Sequence, residues 1–228
     1  VSDASHELKT PLAGIRLLTD SILQTEGMDE ETTKEFVTDI GREAERLSRI
    51  TENLLRLTRL DSGVVQQPYP VAVAPVMERV ERMLHMVAQE KGVTISGTAD
   101  EDAVALATDD DVHQILYNLM ENAIKYSAAE NGFVRAEAFV RDGQVVITVT
   151  DNGIGIPDED LPHVFDRFYR VDKMRSREVG GTGLGLSIVK DTIENRGGSI
   201  QAGHGAGGVG TVFTVTLPLA QEEELCEE

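Results

Sequence analysis

Tryptophan is absent from the chain, and four tyrosines and six phenylalanines leave aromatics at only 4% of its 228 residues. That poverty argues against the stacking platforms on which single-stranded nucleic acids are bound. Cysteine occurs once, as Cys226 in an acidic tail, which excludes an internal disulfide and any cysteine-rich zinc site. Basic residues are scarce: 21 Lys and Arg stand against 40 Asp and Glu, a net charge of −19. Such a balance excludes a phosphate-backbone binder, so no nucleic-acid partner is expected. An apolar run of about 18 residues, which a membrane span needs, is also missing, as is the basic, apolar start of a signal peptide. What is present suffices for a core, with 40% hydrophobic and 27% charged residues. The length suits one large or two modest domains. The expectation is a soluble, acidic globular protein of a reducing compartment, without direct membrane contact.

The acidity is uneven. Residues 1–67 hold 8 basic and 13 acidic groups, residues 68–220 hold 13 and 22, and the last eight residues add five Glu. Against that trend, Arg167, Arg170, Lys173, Arg175 and Arg177 outnumber Asp166 and Asp172 between residues 166 and 177. A positive island on an acidic protein suits an anionic ligand such as a nucleotide, though a solvated loop would read the same way.

The first part reads as a helical hairpin. Leu8, Leu12, Ile15, Leu18 and Ile22 recur at three- and four-residue steps from about Ala4 to Glu26. After a break at Thr25–Met28, with Asp29 as N-cap, Phe36, Ile40, Ala44, Leu47, Ile50, Leu54 and Leu57 form a second stripe to Asp61. Two such helices bury too little alone, and pairing two copies would give a four-helix bundle, so a homodimer is expected. Asp61-Ser62-Gly63 ends the helix and Gln66–Pro70 reads as a linker. The pattern then becomes mixed. A helix follows Pro75, with Val76, Val80, Leu84 and Val87 as its apolar face; short strands lie at Val93–Ile95 and Val104–Ala107, and a helix runs from Asp109 to Ser127. Phe133–Val140 and Gln144–Thr150 alternate around Arg141-Asp142-Gly143, a hairpin signal. A helix at Leu184–Asn195 and strands near Ser199–Ala202 and Thr211–Leu217 complete the pattern. The mixture predicts an α+β chain: a hairpin domain over 1–66, an α/β sandwich with helices on one face of a single sheet over 67–220, and a disordered tail over 221–228.

Four places carry chemistry. Asn118 and Asn122 stand one turn apart on the helix from Asp109, with Lys125 in the same stripe. Asn is a poor helix former, and its carbonyl oxygen is a hard ligand suited to Mg²⁺ shared with phosphates; exposed polar residues fit the pattern equally. Asp151-Asn152-Gly153-Ile154-Gly155 follows a strand, where an Asp can accept a hydrogen bond from an exocyclic amine such as adenine's; taken alone, a plain glycine turn explains it as well. Gly181-Thr182-Gly183-Leu184-Gly185 opens a helix whose exposed amides form an anion site, without the pattern of a P-loop or a Rossmann fingerprint. Last, His6 sits near the start of the first helix with Glu7 beside it, Thr10 one turn on, and Pro11 removing the backbone bond to Glu7. A neutral imidazole held by a neighbouring carboxylate can act as a nucleophile. A lone helical His is usually structural, which is the reading kept for His85, His113, His163 and His204.

In their order and spacing these motifs resemble the cytoplasmic core of a two-component sensor histidine kinase (HisKA and HATPase_c type). Ser5-His6-Glu7-Leu8-Lys9-Thr10-Pro11-Leu12 resembles the family's H-box, Asn118–Ser127 its N-box, Asp151–Gly155 and Gly181–Leu186 its two glycine boxes, and Phe165–Arg170 its F-box. The resemblance covers nearly the whole chain to about Leu219 and implies a dimeric four-helix bundle followed by an α/β-sandwich domain of the GHKL (Bergerat) type. It implies ATP and Mg²⁺ as cofactors, His6 as phosphoacceptor polarised by Glu7, and Thr10 positioning water for phosphatase action. Asn122 and Asn118 would hold the metal, Lys125 would contact phosphate, and Tyr126 would pack on adenine. Asp151, with Thr211 through water, would read the adenine amine, in the turn that Gly153 and Gly155 permit. Arg170 and Arg167 would neutralise phosphate charge, while Gly181, Gly183, Leu184 and Gly185 would let a lid from about Asp172 to Gly180 fold over ATP. The implied partner is the receiver domain of a response regulator, whose Asp takes the phosphoryl group from His6. Only five residues precede His6, so the chain is expected to be a fragment of a parent anchored in the cell membrane. Two other readings remain at this point: an ATP-driven clamp of the same superfold, and a module in which phosphatase action dominates.

Overall fold

The computed structural model describes residues 2–25, 27–61, 66–128, 130–171 and 181–221. Ser62-Gly63, the expected lid Asp172–Gly180, and the tail from Glu222 with Cys226 lie outside them. Helix α1 (Ser2–Gln24) and helix α2 (Glu30–Asp61) form the antiparallel hairpin. Asp29 caps α2 as its sequence suggests, its carboxylate accepting from the Thr32 amide at 2.8 Å and from the Thr32 hydroxyl. Of the apolar stripe on α2, only Ile50 and Leu57 are fully buried. Leu12, Leu17, Leu23 and Val37 are more than half exposed. One hairpin therefore leaves much of its apolar surface in water.

The second part begins earlier than its composition indicates. Tyr69–Ala72 is not linker but strand β1, paired antiparallel with β3 (Val104–Ala107). Pro70 is tolerated because a two-stranded ribbon is all edge. Helix α3 (Val73–Glu90) follows at once, with Pro75 in its first turn, where a missing amide costs nothing. On its buried face Ala88 occupies the place expected of Val87, which is 44% exposed. Strand β2 (Thr94–Ala99), helix α4 (Asp109–Tyr126), strands β4 (Phe133–Arg141) and β5 (Gln144–Asp151), helix α5 (Gly185–Asn195) and strands β6 (Ser199–His204) and β7 (Thr211–Pro218) complete the domain. The main sheet has the order β2-β4-β5-β7-β6; β2 runs parallel to β4 and the remaining pairs are antiparallel. Two sheets thus replace the single one expected.

Alternation explains the layering. Along β4, Val134, Ala136 and Ala138 are buried while Phe133, Arg135 and Glu137 are exposed, so one face meets the core and the other water. Helices α3, α4 and α5 cover the inner face through Val80, Leu84, Ile115, Leu119, Val189 and Ile193. The β4–β5 turn has Asp142 and Gly143 both at positive φ, the type I′ geometry that suits a two-residue hairpin. Helix α4 starts with a reciprocal capping box: Thr108 Oγ1 accepts from the Asp111 amide, and Asp111 Oδ2 accepts from the Thr108 amide.

Asp111 does a second task. Its buried carboxylate accepts from Arg196 Nε at 2.7 Å, and Arg196 Nη1 reaches the Gln66 carbonyl at 2.7 Å, anchoring the chain between the two parts to the base of α4. Arg196→Ala should cost about 3–5 kcal/mol, because the carboxylate is left buried without its cation. Arg79→Ala, which breaks the half-exposed pair with Asp109, should cost less than about 1 kcal/mol. Urea denaturation midpoints of the two variants read the contrast directly.

Candidate functional site

A cavity of about 1180 Å³ opens between α4, the loop after β5, the segment entering α5, and the side of α2. Asn118, Asn122, Lys125 and Tyr126 line it from α4, as their spacing requires. Asp151, at the end of β5, faces them and is 4% exposed. Gly155, Arg170, Gly181, Gly183, Gly185 and Thr211 also reach the cavity. Most of the residues singled out from sequence are therefore brought together.

Asp151 is held with care. Its Oδ1 accepts from the Gly153 amide at 2.8 Å and from the Thr211 amide at 3.2 Å. Burial pushes its carboxyl above the usual aspartate range, and those two amides pull partly back. With these bonds gathered on Oδ1, Oδ2 is the atom suited to an external N–H donor. Gly153 does not line the cavity but permits it: a Cβ there would lie 2.0 Å from the Tyr126 carbonyl oxygen, which accepts the Ile154 amide. Asn152 braces the same turn, accepting from the Phe133 amide and donating to the Asn131 carbonyl.

Burial also lowers the Lys125 ammonium below the ordinary lysine value, a sign that it stands in a site with too little solvent for its charge. Asn118 commits its Nδ2 to the Gln114 carbonyl at 2.9 Å; its Oδ1 lies 3.0 Å from where a Cβ of Gly185 would be. Among the described residues no group of three His, Cys, Asp or Glu could hold a metal. The donor set at the cavity is instead the amide oxygens of Asn118 and Asn122, hard ligands that fit Mg²⁺ sharing a site with phosphates.

Other expected residues sit elsewhere. Arg167 does not line the cavity; it bridges Asp61 of α2 (2.8 and 3.1 Å) and Asp191 of α5 (2.9 Å), which hold its proton still more firmly. Leu184 is buried against Leu57 and Ile188 and helps clamp α2 to α5. His6 is exposed on α1, and the Thr10 hydroxyl donates to the His6 carbonyl at 3.1 Å. Glu7 is directed to two arginines: its Oε2 accepts from Arg170 at 2.8 Å and from Arg46 at 3.3 Å. Sequence reasoning misses Arg46 and the α2 wall formed by Arg49, Asn53 and Arg56. The available signal is spacing, since Arg46 and Asn53 flank Ile50 at i−4 and i+3 on the buried face of α2.

Comparison with known proteins follows the same division. Residues 1–63 match the His Kinase A (phospho-acceptor) domain, and residues 107–221 match the Histidine kinase-, DNA gyrase B-, and HSP90-like ATPase family. The chain is 36% identical over 227 residues to sensor histidine kinase WalK of Bacillus subtilis, covering 98% of this chain and 37% of WalK. Among solved structures, full-length ShkA in complex with AMPPNP is 28% identical with a TM-score of 0.70, covering 95% of this chain and 45% of ShkA. The histidine kinase AdeS of Acinetobacter baumannii shares the fold at a TM-score of 0.75 and 23% identity, over 95% of this chain and 98% of that one. The chain spans roughly a third to just over half the length of the curated relatives it matches.

The raised Asp151 carboxyl has a stability consequence of definite sign. The folded chain holds this proton more tightly than the unfolded chain, so stability falls as pH rises from the ordinary value of 3.8 through the higher folded value. Asp151→Asn, which keeps an oxygen for the Gly153 and Thr211 amides, should therefore melt higher than the parent chain at neutral pH. The gain should vanish on acidification, as measured by thermal melts across pH 4–8 without nucleotide.

Proposed function

This chain belongs to the sensor histidine kinases, and from that premise we propose that it catalyses ATP-dependent phosphorylation of His6 and passes the phosphoryl group to an Asp of a response-regulator receiver domain. One observation carries the reading. Asn118, Asn122, Lys125 and the buried Asp151 converge on one cavity, and Arg170 of that cavity bonds Glu7, next to His6. Residues 1–66 act as the dimerisation and phosphotransfer domain and residues 67–220 as the ATP-binding domain. Exposed Leu12, Leu17, Leu23 and Val37 on the hairpin supply the apolar surface that a second copy would cover in a four-helix bundle.

Each side chain has a chemical task in this scheme. Asp151 Oδ2 accepts the adenine amine, Thr211 stands beside it, and Tyr126 packs on the base. Lys125 and Arg170 offset phosphate charge, and the segment through Gly181, Gly183 and Gly185 presents the amides that open α5. Mg²⁺ held by Asn122 and Asn118 would offset charge on the phosphates. Phosphoryl transfer asks chiefly for position and charge neutralisation. The free ring nitrogen of His6 attacks the γ-phosphorus, the bond to the β,γ-bridging oxygen breaks, and ADP leaves with the electron pair. Glu7 holds the opposite ring N–H and stabilises the charge that develops on the imidazole. Thr10, once turned from the helix carbonyl, is placed to orient the water that removes phosphate from the regulator. No helix among the described residues is long and apolar enough to cross a membrane; the segment is proposed to work in the cytoplasm on a parent anchored in the cell membrane.

Incubation with γ-labelled ATP and Mg²⁺ tests the scheme. Label should be acid-labile and alkali-stable, and absent from His6→Gln and Asn122→Ala. Acid-stable label, or full labelling of His6→Gln, would sink it.

A further inference from the structure

Two arginines meet beside the phosphoacceptor helix in a way the scheme above leaves unused. Arg46 of α2 and Arg170 of the ATP-binding domain have side chains only 8% and 7% exposed, and both donate to the same oxygen, Glu7 Oε2. Arg46 also has Glu43 nearby, whose Oε2 lies 3.9 Å from Arg46 Nη1 without a hydrogen bond. Arg46 Nε and Arg170 Nε are both buried with no hydrogen-bond partner among the described residues. Unmade hydrogen bonds on buried charged groups are expensive, and the arrangement holds more donors than the Glu7 carboxylate uses. A phosphoryl group, with nearly two negative charges and three acceptor oxygens, matches that surplus, and guanidinium forks are the side chains best shaped to hold it.

Resting on the kinase reading, we propose that Arg46 and Arg170 form the seat of the phosphoryl group carried by His6, and that Glu7 occupies this seat in the arrangement described here. His6 precedes Glu7 by one residue, about 100° of turn and 1.5 Å of rise. A turn of α1 about its own axis by that angle, against both α2 and the ATP-binding domain, therefore exchanges the carboxylate for the phosphorylated imidazole. Glu7, once released, is free to hold the His6 ring N–H. As His6 nitrogen bonds to the γ-phosphorus and ADP departs with the electrons of the broken P–O bond, the two guanidiniums receive the phosphoryl oxygens. Arg46 does not line the nucleotide cavity, so its task belongs to transfer and not to ATP binding.

The test is made on the whole chain with Arg46→Gln and Arg46→Lys, following the initial rate of acid-labile label and, separately, affinity for a fluorescent ATP analogue. Arg46→Gln should slow labelling at least tenfold while analogue affinity stays within twofold, and Arg46→Lys should recover part of the rate. If Arg46 serves only to hold Glu7 away from His6, Arg46→Gln will label as fast as the parent chain or faster, and the proposal is overturned. A parent chain that binds no analogue and takes up no label removes the kinase reading itself. Phosphorylating His6 chemically with phosphoramidate gives a measurement independent of ATP. The phosphohistidine ³¹P resonance should move between the parent chain and Arg46→Lys, a variant that keeps the charge needed for folding, and coincident resonances would overturn the seat.

Discussion

A guanidinium taken out of water needs a carboxylate beside it, and Arg170 finds its carboxylate on the other domain. Its side chain is 7% exposed, and burial together with neighbouring Arg46 lowers its affinity for its proton, while Glu7 restores part of it. Leaving that cation buried without Glu7 would cost several kcal/mol. The ATP-binding domain can therefore pack on the hairpin only where α1 presents an acid, and the position next to His6 is where it does so. The orientation of cavity and phosphoacceptor helix follows from this one electrostatic requirement.

The remaining ties between the domains are of different kinds and sizes. Leu57 of α2 is buried with Leu184 and Ile188, an apolar contact worth about 1.5–3 kcal/mol for such a side chain. Phe168 packs on the same cluster from a backbone at φ 66°, a strained region for a bulky residue, pinned by the hydrogen bond its amide donates to the Gly183 carbonyl at 2.8 Å. Arg167 spans Asp61 and Asp191, but these groups are partly solvated, so each pair contributes little. The Asn53 to Thr182 bond at 3.4 Å is weaker again. Together they make a docked arrangement of only a few kcal/mol, weak enough for inter-domain motion.

The local half of this design is legible in the amino-acid sequence. Helical periodicity gives the hairpin, Asp142-Gly143 gives the β4–β5 turn, and the Asn118–Lys125 spacing places three side chains on one wall of the cavity. What escapes is set by distant partners. Tyr69 and Pro70 look like linker because their pairing with Leu106 and Ala107 lies far along the chain. Arg46 looks like a surface charge until α1 and the F-box segment close over it. Arg167 and Arg170 look alike, three residues apart in one basic run. The left-handed backbone at Phe168 falls between them, and one is directed to Asp61 while the other enters the cavity; no local pattern of charge encodes that divergence.

The cavity's charge also belongs to both domains. Although the chain carries −19 overall, Arg49, Arg56 and Arg59 from α2 join Lys125 and Arg170 on walls where Glu52, Glu121 and Asp151 are the acids. Lys125 feels Arg49 as well as Glu121, and Arg56 is itself half desolvated near Asp110 and Asp111. Any polyanion in this cavity is attracted partly by the hairpin, and that share disappears when the hairpin undocks. Linkage makes the relation reciprocal: what docking adds to anion affinity, the anion adds to docking. Polyanions of different charge, such as a triphosphate and a diphosphate, must therefore bias the domain arrangement by different amounts. The walls that attract a polyanion are thereby also the walls through which its charge reaches the hairpin.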